Sequence, residues 1–145
     1  GQAIDRVGGM LGLPFPAGAE LDRLAQRSKQ RFSVRPSMKG ADCCLSGIQN
    51  QCEKMLRAGE CCEDIARFCI ESVLAAIDAM ARELLRQHGT YPFLFAGGVM
   101  SNRVIRDAIS QKYDASFAEP AFSCDNAAGI AVLAAAQEKN LPGEK

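Results

Sequence analysis

The stretch Phe93–Arg106, FLFAGGVMSNRVIR, constrains the fold more than any other part of the chain. Four apolar residues, Phe93–Ala96, fit a short buried strand, and Pro92 suits its start. The pair Gly97–Gly98 breaks the run. Val99–Ile109 then resumes at helical spacing, with Val104, Ile105, Ala108 and Ile109 on one side. A strand, a double glycine and a helix in succession set bare backbone amides where an anionic or nucleotide ligand can approach. Gly97 and Gly98 permit positive φ and carry no Cβ to block that approach. The same pair also serves an ordinary strand-to-helix turn, so pattern alone leaves both readings open.

The flanking segments supply the layers such a unit packs into. From Glu63 to His88, Ile65, Ala66, Cys69, Val73, Ala76, Ile77, Met80, Leu84 and Leu85 recur with the period of an amphipathic helix. Glu71, Asp78, Arg82 and Arg86 fall on its wet side, and Gly89 is placed to end it. Upstream, Gly1–Gly12 reads as a helix stopped by LGLPFPAG, and Glu20–Gln30 as a second with Leu21, Leu24 and Ala25 inward. Arg31–Arg35 alternates as a short strand before Pro36, and Ala41–Leu45 as another. Ser46 would cap a helix ending at Ala58–Gly59. Ala115–Ala118 is a further short strand, and Ala127–Gln137 a small-residue helix capped by Ser123 or Asp125. Helices alternating with strands predict a layered, helix-rich α/β arrangement.

Length and composition bound the rest. At 145 residues the chain is one domain, with 48% hydrophobic residues and zero net charge. No apolar run reaches the ~20 residues of a membrane span. The seven cysteines form no C-x-x-C pair and the single histidine, His88, is distant from them, so reduced thiols of a cytoplasmic protein are expected over a zinc site. Without an initiating Met, the chain reads as a segment of a longer one. From Arg23 to Lys39 there are six basic residues and no acidic ones. That run suits either a solvated face or a polyphosphate backbone, although overall neutrality argues against strong standalone binding.

Five segments together carry a family resemblance. GQAIDRVGGMLGLPFPAGAELDRLA resembles the G-E-A-(F/Y)-D-K-x-A-x-x-L-G-L-x-(Y/F)-P-G-G-P-x-(I/L)-D motif of the tRNA threonylcarbamoyl-transferases, the family also known as O-sialoglycoprotein endopeptidases or glycoproteases. CLSGIQN resembles its F-S-G-L-K-T segment, and CCEDIARFCIESVLAAI its D-I-A-x-S-F-Q-E-A-V helix. FAGGVMSNRVIRDAI is similar to A-G-G-V-A-A-N-x-x-L-R, and SCDNAAGIA to C-T-D-N-G-A-M-I-A. The resemblance implies half of an actin-like, sugar-kinase-like ATPase fold, a ribonuclease H-like layered domain in which the double glycine faces a nucleotide.

It further implies roles for particular residues. Asp5, Gly18 and Asp22 would contact the adenylate substrate, as would Asn102 beside Gly97 and Gly98, and Asp125 would bind one divalent metal ion, iron or zinc. The implied reaction moves a threonylcarbamoyl group from threonylcarbamoyl-adenylate to N6 of adenosine 37 in tRNA. The implied partners are the chain's own N-terminal half, tRNA and accessory tRNA-modification proteins, in the cytoplasm and without a membrane; a homodimer of the fragment is also compatible. Carboxylates suit ribose hydroxyls, and a hard oxygen donor suits a metal that polarises the carbamoyl group. On local pattern alone, Asp5 is equally a solvated helix residue, Asp22 a first-turn acid, and Asn102 and Asp125 helix caps.

The motif also departs from the family pattern. Gln2 stands for its Glu, Gln49 for its Lys, and PAGA for P-G-G-P. The family's H-x-x-x-H pair lies upstream of these segments. The chain therefore reads as the C-terminal half of such a transferase, inactive by itself, or of a non-catalytic paralogue that binds a nucleotide or a partner. There is no H-E-x-x-H to support proteolysis.

Overall fold

The computed structural model describes residues 1–123 and residue 135. The elements run α1 (Gln2–Met10), α2 (Gly18–Arg27), β1 (Ser37–Lys39), β2 (Asp42–Cys44), α3 (Ser46–Arg57) and α4 (Cys62–His88). They continue with β3 (Phe93–Phe95), a 3-10 turn over Gly98–Ser101, α5 (Arg103–Ser110), β4 (Ala115–Phe117) and the short α6 (Pro120–Ser123). The fold is helix-rich α/β, as expected.

The axis is α4. Its apolar stripe buries Ile65, Cys69 and Ile70 completely against Leu21 and Ala25 of α2, Val7 of α1, Cys52 of α3 and Ile105 of α5. Each such Leu or Ile contributes about 1.5–3 kcal/mol by leaving water. Glu63 and Asp64 sit in the first turn of α4 and Arg86 in the last, as the helix dipole favours. Gly89 then ends it at φ +87°, a conformation L side chains rarely adopt.

The strands form two separate pairs. β1 and β2 are an antiparallel hairpin, with Met38 opposite Cys43. β3 and β4 are parallel, joined through the 3-10 turn and α5, with Phe93 opposite Ala115 and Phe95 opposite Phe117. Phe93 and Phe95 are half-buried, whereas Leu94 between them is 75% exposed. That alternation is the two-residue period of a strand with one face covered.

Four expectations are corrected. Arg31–Arg35 is extended but joins no sheet, because its backbone finds a side chain instead of a strand: the Phe32 N–H donates to Glu71 Oε2 at 2.5 Å. Glu71 is consequently buried, and it accepts from Arg67 Nε at 2.6 Å across one turn of α4. Ser46 is the first residue of α3, not its cap; its hydroxyl lies 3.1 Å from the Cys44 thiol. Val99–Ile109 is not one helix. Gly97 at φ +105° leads into the 3-10 turn, Asn102 is extended at ψ 126°, and α5 starts only after it. Of the helix expected at Ala127–Gln137 only Ala135 is described, and it is helical; Asp125 before it lies outside the described residues.

Candidate functional site

The resemblance points to residues far apart in sequence, and the fold brings six of them to one place. Asp5 projects from α1, and its Oδ1 accepts from the Ala17 N–H at 3.0 Å. That bond ties α1 to the start of α2 and sets Gly18 as the first helical residue. No atom lies within 4 Å of where a Gly18 Cβ would stand, so the space beside it is open. Asp22 follows one turn later.

Facing α2 across the gap is the turn after β3. Asn102 closes that turn and caps α5, its Oδ1 accepting from the Ile105 N–H at 3.1 Å. The Gly97 amide donates to Ser123 Oγ at 2.6 Å, so that member of the double glycine is engaged within the chain.

Between these two walls runs a cleft with two chambers. The polar chamber, about 530 Å³, is lined by Asp22, Arg23, Gln26, Ser101, Asn102 and Arg103. The apolar one, about 590 Å³, is lined by Leu45, Val73, Ile77 and Met100, with Asp5 and Gly97 at its edges. Ile4, Gly18, Ala19, Gly98 and Val99 border both, so the two chambers adjoin.

Among the described residues, two polar atoms of side chains lining the polar chamber are buried without a hydrogen-bond partner: Asp22 Oδ1 and Asn102 Nδ2. The first is an acceptor and the second a donor. The other oxygen of Asp22 accepts from Gln26 Nε2 at 2.9 Å, and the other end of Asn102 caps α5. Each side chain is thus fixed in orientation by one atom while the other atom is unsatisfied. A buried unpaired polar atom costs about 1–3 kcal/mol.

Sequence reasoning missed Arg103, Gln26 and Ile4 in the lining. Gln26 was legible as the i+4 neighbour of Asp22 on α2, and Arg103 as the residue after Asn102. Two groups whose protonation the fold displaces lie outside the cleft. Burial alone would push the Asp78 carboxyl up, but hydrogen bonds from Lys112 and Tyr113 outweigh it and hold the group below its usual range. Burial and the bond to Asp78 push the Tyr113 phenol up to about 12.

The metal expectation finds no support in the described part. Among the described residues no three His, Cys, Asp or Glu side chains come together to hold an ion. His88 is exposed at the end of α4, and Asp125 lies outside the described residues. No helix among the described residues is long and apolar enough to cross a membrane.

Comparison with known proteins places this cleft in context. A tRNA N6-adenosine threonylcarbamoyltransferase from Streptococcus equi subsp. zooepidemicus is 31% identical, covering 95% of this chain and 44% of its own length. One from Thermococcus sibiricus is 30% identical over 90% of this chain and 42% of its own. A "probable bifunctional tRNA threonylcarbamoyladenosine biosynthesis protein" of Thermoplasma acidophilum is 33% identical over 76% of this chain and 21% of its own. The chain thus spans less than half the length of these relatives. The family profile of the tRNA N6-adenosine threonylcarbamoyltransferases matches residues 1–132, both walls of the cleft included, and the chain belongs to that family.

Proposed function

We propose that this chain forms one side of the site at which its full-length protein moves a threonylcarbamoyl group from threonylcarbamoyl-adenylate to N6 of adenosine 37 in tRNA. One observation carries the reading: Asp22 Oδ1 and Asn102 Nδ2, a buried acceptor and a buried donor with no partner among the described residues, belong to facing walls of one chamber lined also by Gly18 and Gly98. In this reading Asp22 accepts from ribose hydroxyls, and Asn102 donates to a hydroxyl or phosphate oxygen. Arg23 and Arg103 supply positive charge for the phosphate, and the apolar chamber takes the adenine. Asp5 acts one step back, by holding the amide of Ala17 and thereby the start of α2.

The reaction asks little acid–base work of such a site. The exocyclic amine attacks the carbamoyl carbonyl, a C–N bond forms, the C–O bond to the adenylate phosphate breaks, and AMP leaves as the amine loses its proton. Holding both reactants in line supplies much of the acceleration. The remaining half of the cleft, Asp125 as a metal ligand, the accessory proteins and a cytoplasmic location belong to the same proposal.

The test uses the full-length protein with its accessory proteins, threonylcarbamoyl-adenylate labelled in the threonyl moiety, and a tRNA transcript bearing an unmodified adenosine 37. Label appearing on that adenosine supports the reading. Tight binding of the adenylate with no label transferred would overturn it in favour of a scaffold.

A further inference from the structure

Of the basic residues in the run Arg23–Lys39 only Arg23 lines the cleft, yet the fold gives the run a definite shape. All six of its positive residues, Arg23, Arg27, Lys29, Arg31, Arg35 and Lys39, are exposed. Arg23 and Arg27 are one turn apart on α2. The chain then leaves the helix and runs extended over residues 28–36. There burial alternates: Phe32, Val34 and Pro36 turn inward, while Arg31, Ser33 and Arg35 turn out. Alternate residues of an extended chain lie about 6.6 Å apart, comparable to the separation of neighbouring phosphates along a nucleic-acid strand.

This strip is held in place from beneath. Ser28 Oγ donates to Asp64 Oδ1 at 2.5 Å, and the Phe32 N–H donates to the buried Glu71. The Phe32 ring packs edge-on against Phe68 of α4, with centroids 5.5 Å apart. The acids that engage its positive charges are two, Glu20 with Arg23 and Glu71 with Arg31 at 3.4 Å. Among the described residues, Arg27, Lys29, Arg35 and Lys39 meet no carboxylate within ion-pair distance. The chain as a whole is neutral, so six surplus acids elsewhere balance this one edge. The strip starts at the candidate site, because Arg23 lines the polar chamber alongside Arg103.

We infer that residues 23–39 form a preordered track for the phosphate backbone of the RNA substrate, leading to the mouth of the cleft. This rests on the transferase reading above. Extended backbone and outward alternation present the charges in a row, and anchoring to α4 removes the ordering entropy that a loose basic loop would lose on binding. The contacts are to phosphates, so they position the RNA and do not read its sequence.

The test compares the full-length protein with its R27Q/K29Q/R35Q variant, three exposed residues outside the cleft. Affinity for the tRNA transcript is measured against salt concentration, with transfer activity and thermal melting alongside. Each phosphate contact removed lowers the slope of log K against log salt by about one, so the variant is expected to lose about three units of slope. Its affinity for threonylcarbamoyl-adenylate alone and its melting temperature are expected to match wild type. A variant with wild-type slope and affinity for tRNA overturns the track, and so does a wild type that binds polyglutamate at these residues but not RNA. If wild type transfers label and the variant's slope is unchanged, the track fails and the transferase reading stands. If the slope falls by about three but wild type transfers nothing, the transferase reading fails and RNA contact by this strip stands.

Discussion

Asn102 offers the sharpest test of the candidate site, because its two ends do different things. Its Oδ1 caps α5 through the Ile105 N–H, and its Nδ2 is buried with no partner among the described residues, in a residue that is only 8% exposed. Replacing it with Ala removes the cap, which is worth about 1 kcal/mol. The same change removes a buried unsatisfied donor, returning about 1–3 kcal/mol. The two effects oppose one another, so Asn102→Ala is expected to leave stability within about 1 kcal/mol of wild type or to raise it. In a protein as long as these relatives a loss of about 1 kcal/mol lowers the melting temperature by about 2 °C or less. Asn102→Ser keeps a capping hydroxyl and loses the amide, so it should be at least as stable as Asn102→Ala. Ligand binding should respond differently. A neutral hydrogen bond contributes about 0.5–1.5 kcal/mol, so both variants are expected to bind threonylcarbamoyl-adenylate about twofold to twelvefold more weakly. Calorimetric titration and differential scanning fluorimetry of the full-length protein read the two quantities separately. If Asn102→Ala loses several degrees of melting temperature with unchanged affinity, or if Ser restores affinity along with stability, Asn102 is a cap and nothing more.

Other expectations can be checked by simpler means. Glu71→Ala strands the buried Arg67 charge and the Phe32 amide, and is expected to destabilise by about 3–5 kcal/mol in chemical denaturation, with residues 28–36 losing amide protection first. Asp78 has a folded pKa below its usual 3.8, so the stability it confers is present above about pH 4 and lost as pH falls through the folded value. Tyr113 is raised from 10.0 to about 12, so its stabilisation is complete below pH 10 and lost as pH climbs toward 12; ultraviolet titration of Asp78→Asn should show the phenol returning toward its ordinary range. Gly8→Ala places a methyl on top of the Ala17 methyl and is expected to destabilise by about 1–3 kcal/mol despite alanine's better helix propensity, while the double change Gly8→Ala, Ala17→Gly should recover most of the loss.

What the sequence made legible follows from the range of the forces involved. The stripe of α4 could be read because its period is fixed by helix geometry and its burial by apolarity alone. The ends at Gly59 and Gly89 could be read because both sit at positive φ, where a Cβ is strained. What failed depended on partners distant in sequence. Glu71 looked solvated at its helical position, and nothing local announces that Phe32, 39 residues earlier, lends it an amide. The same bond explains why Arg31–Arg35 alternates like a strand without being one: the inward side chains pack, but a carboxylate takes the place of a neighbouring strand. Asn102 shows the intermediate case. Its capping role and its proposed ligand role were both readable and looked exclusive, whereas the amide has two ends: Oδ1 caps α5, and Nδ2 has no partner among the described residues.

The motif departure at PAGA has its own physical account. In the family pattern an Ala stands where this chain has Gly8, and a Gly stands where it has Ala17. Read along the sequence, these are two unrelated substitutions, nine positions apart, and the second disrupts the P-G-G-P element expected to border the substrate. In the fold the two positions are in contact, so close that methyl groups at both would overlap. One methyl fits between α1 and the start of α2, and this chain carries it on α2 where the family pattern carries it on α1. The exchange leaves the Ala17 amide bonded to Asp5 and leaves Gly18 open to the cleft. Ala17 itself is buried, away from the cleft lining, and the glycine that borders both chambers is the one this chain retains. At Ala17 the departure is therefore a repacking beneath the cleft, whereas Ala19, which stands for the second proline of P-G-G-P, borders both chambers.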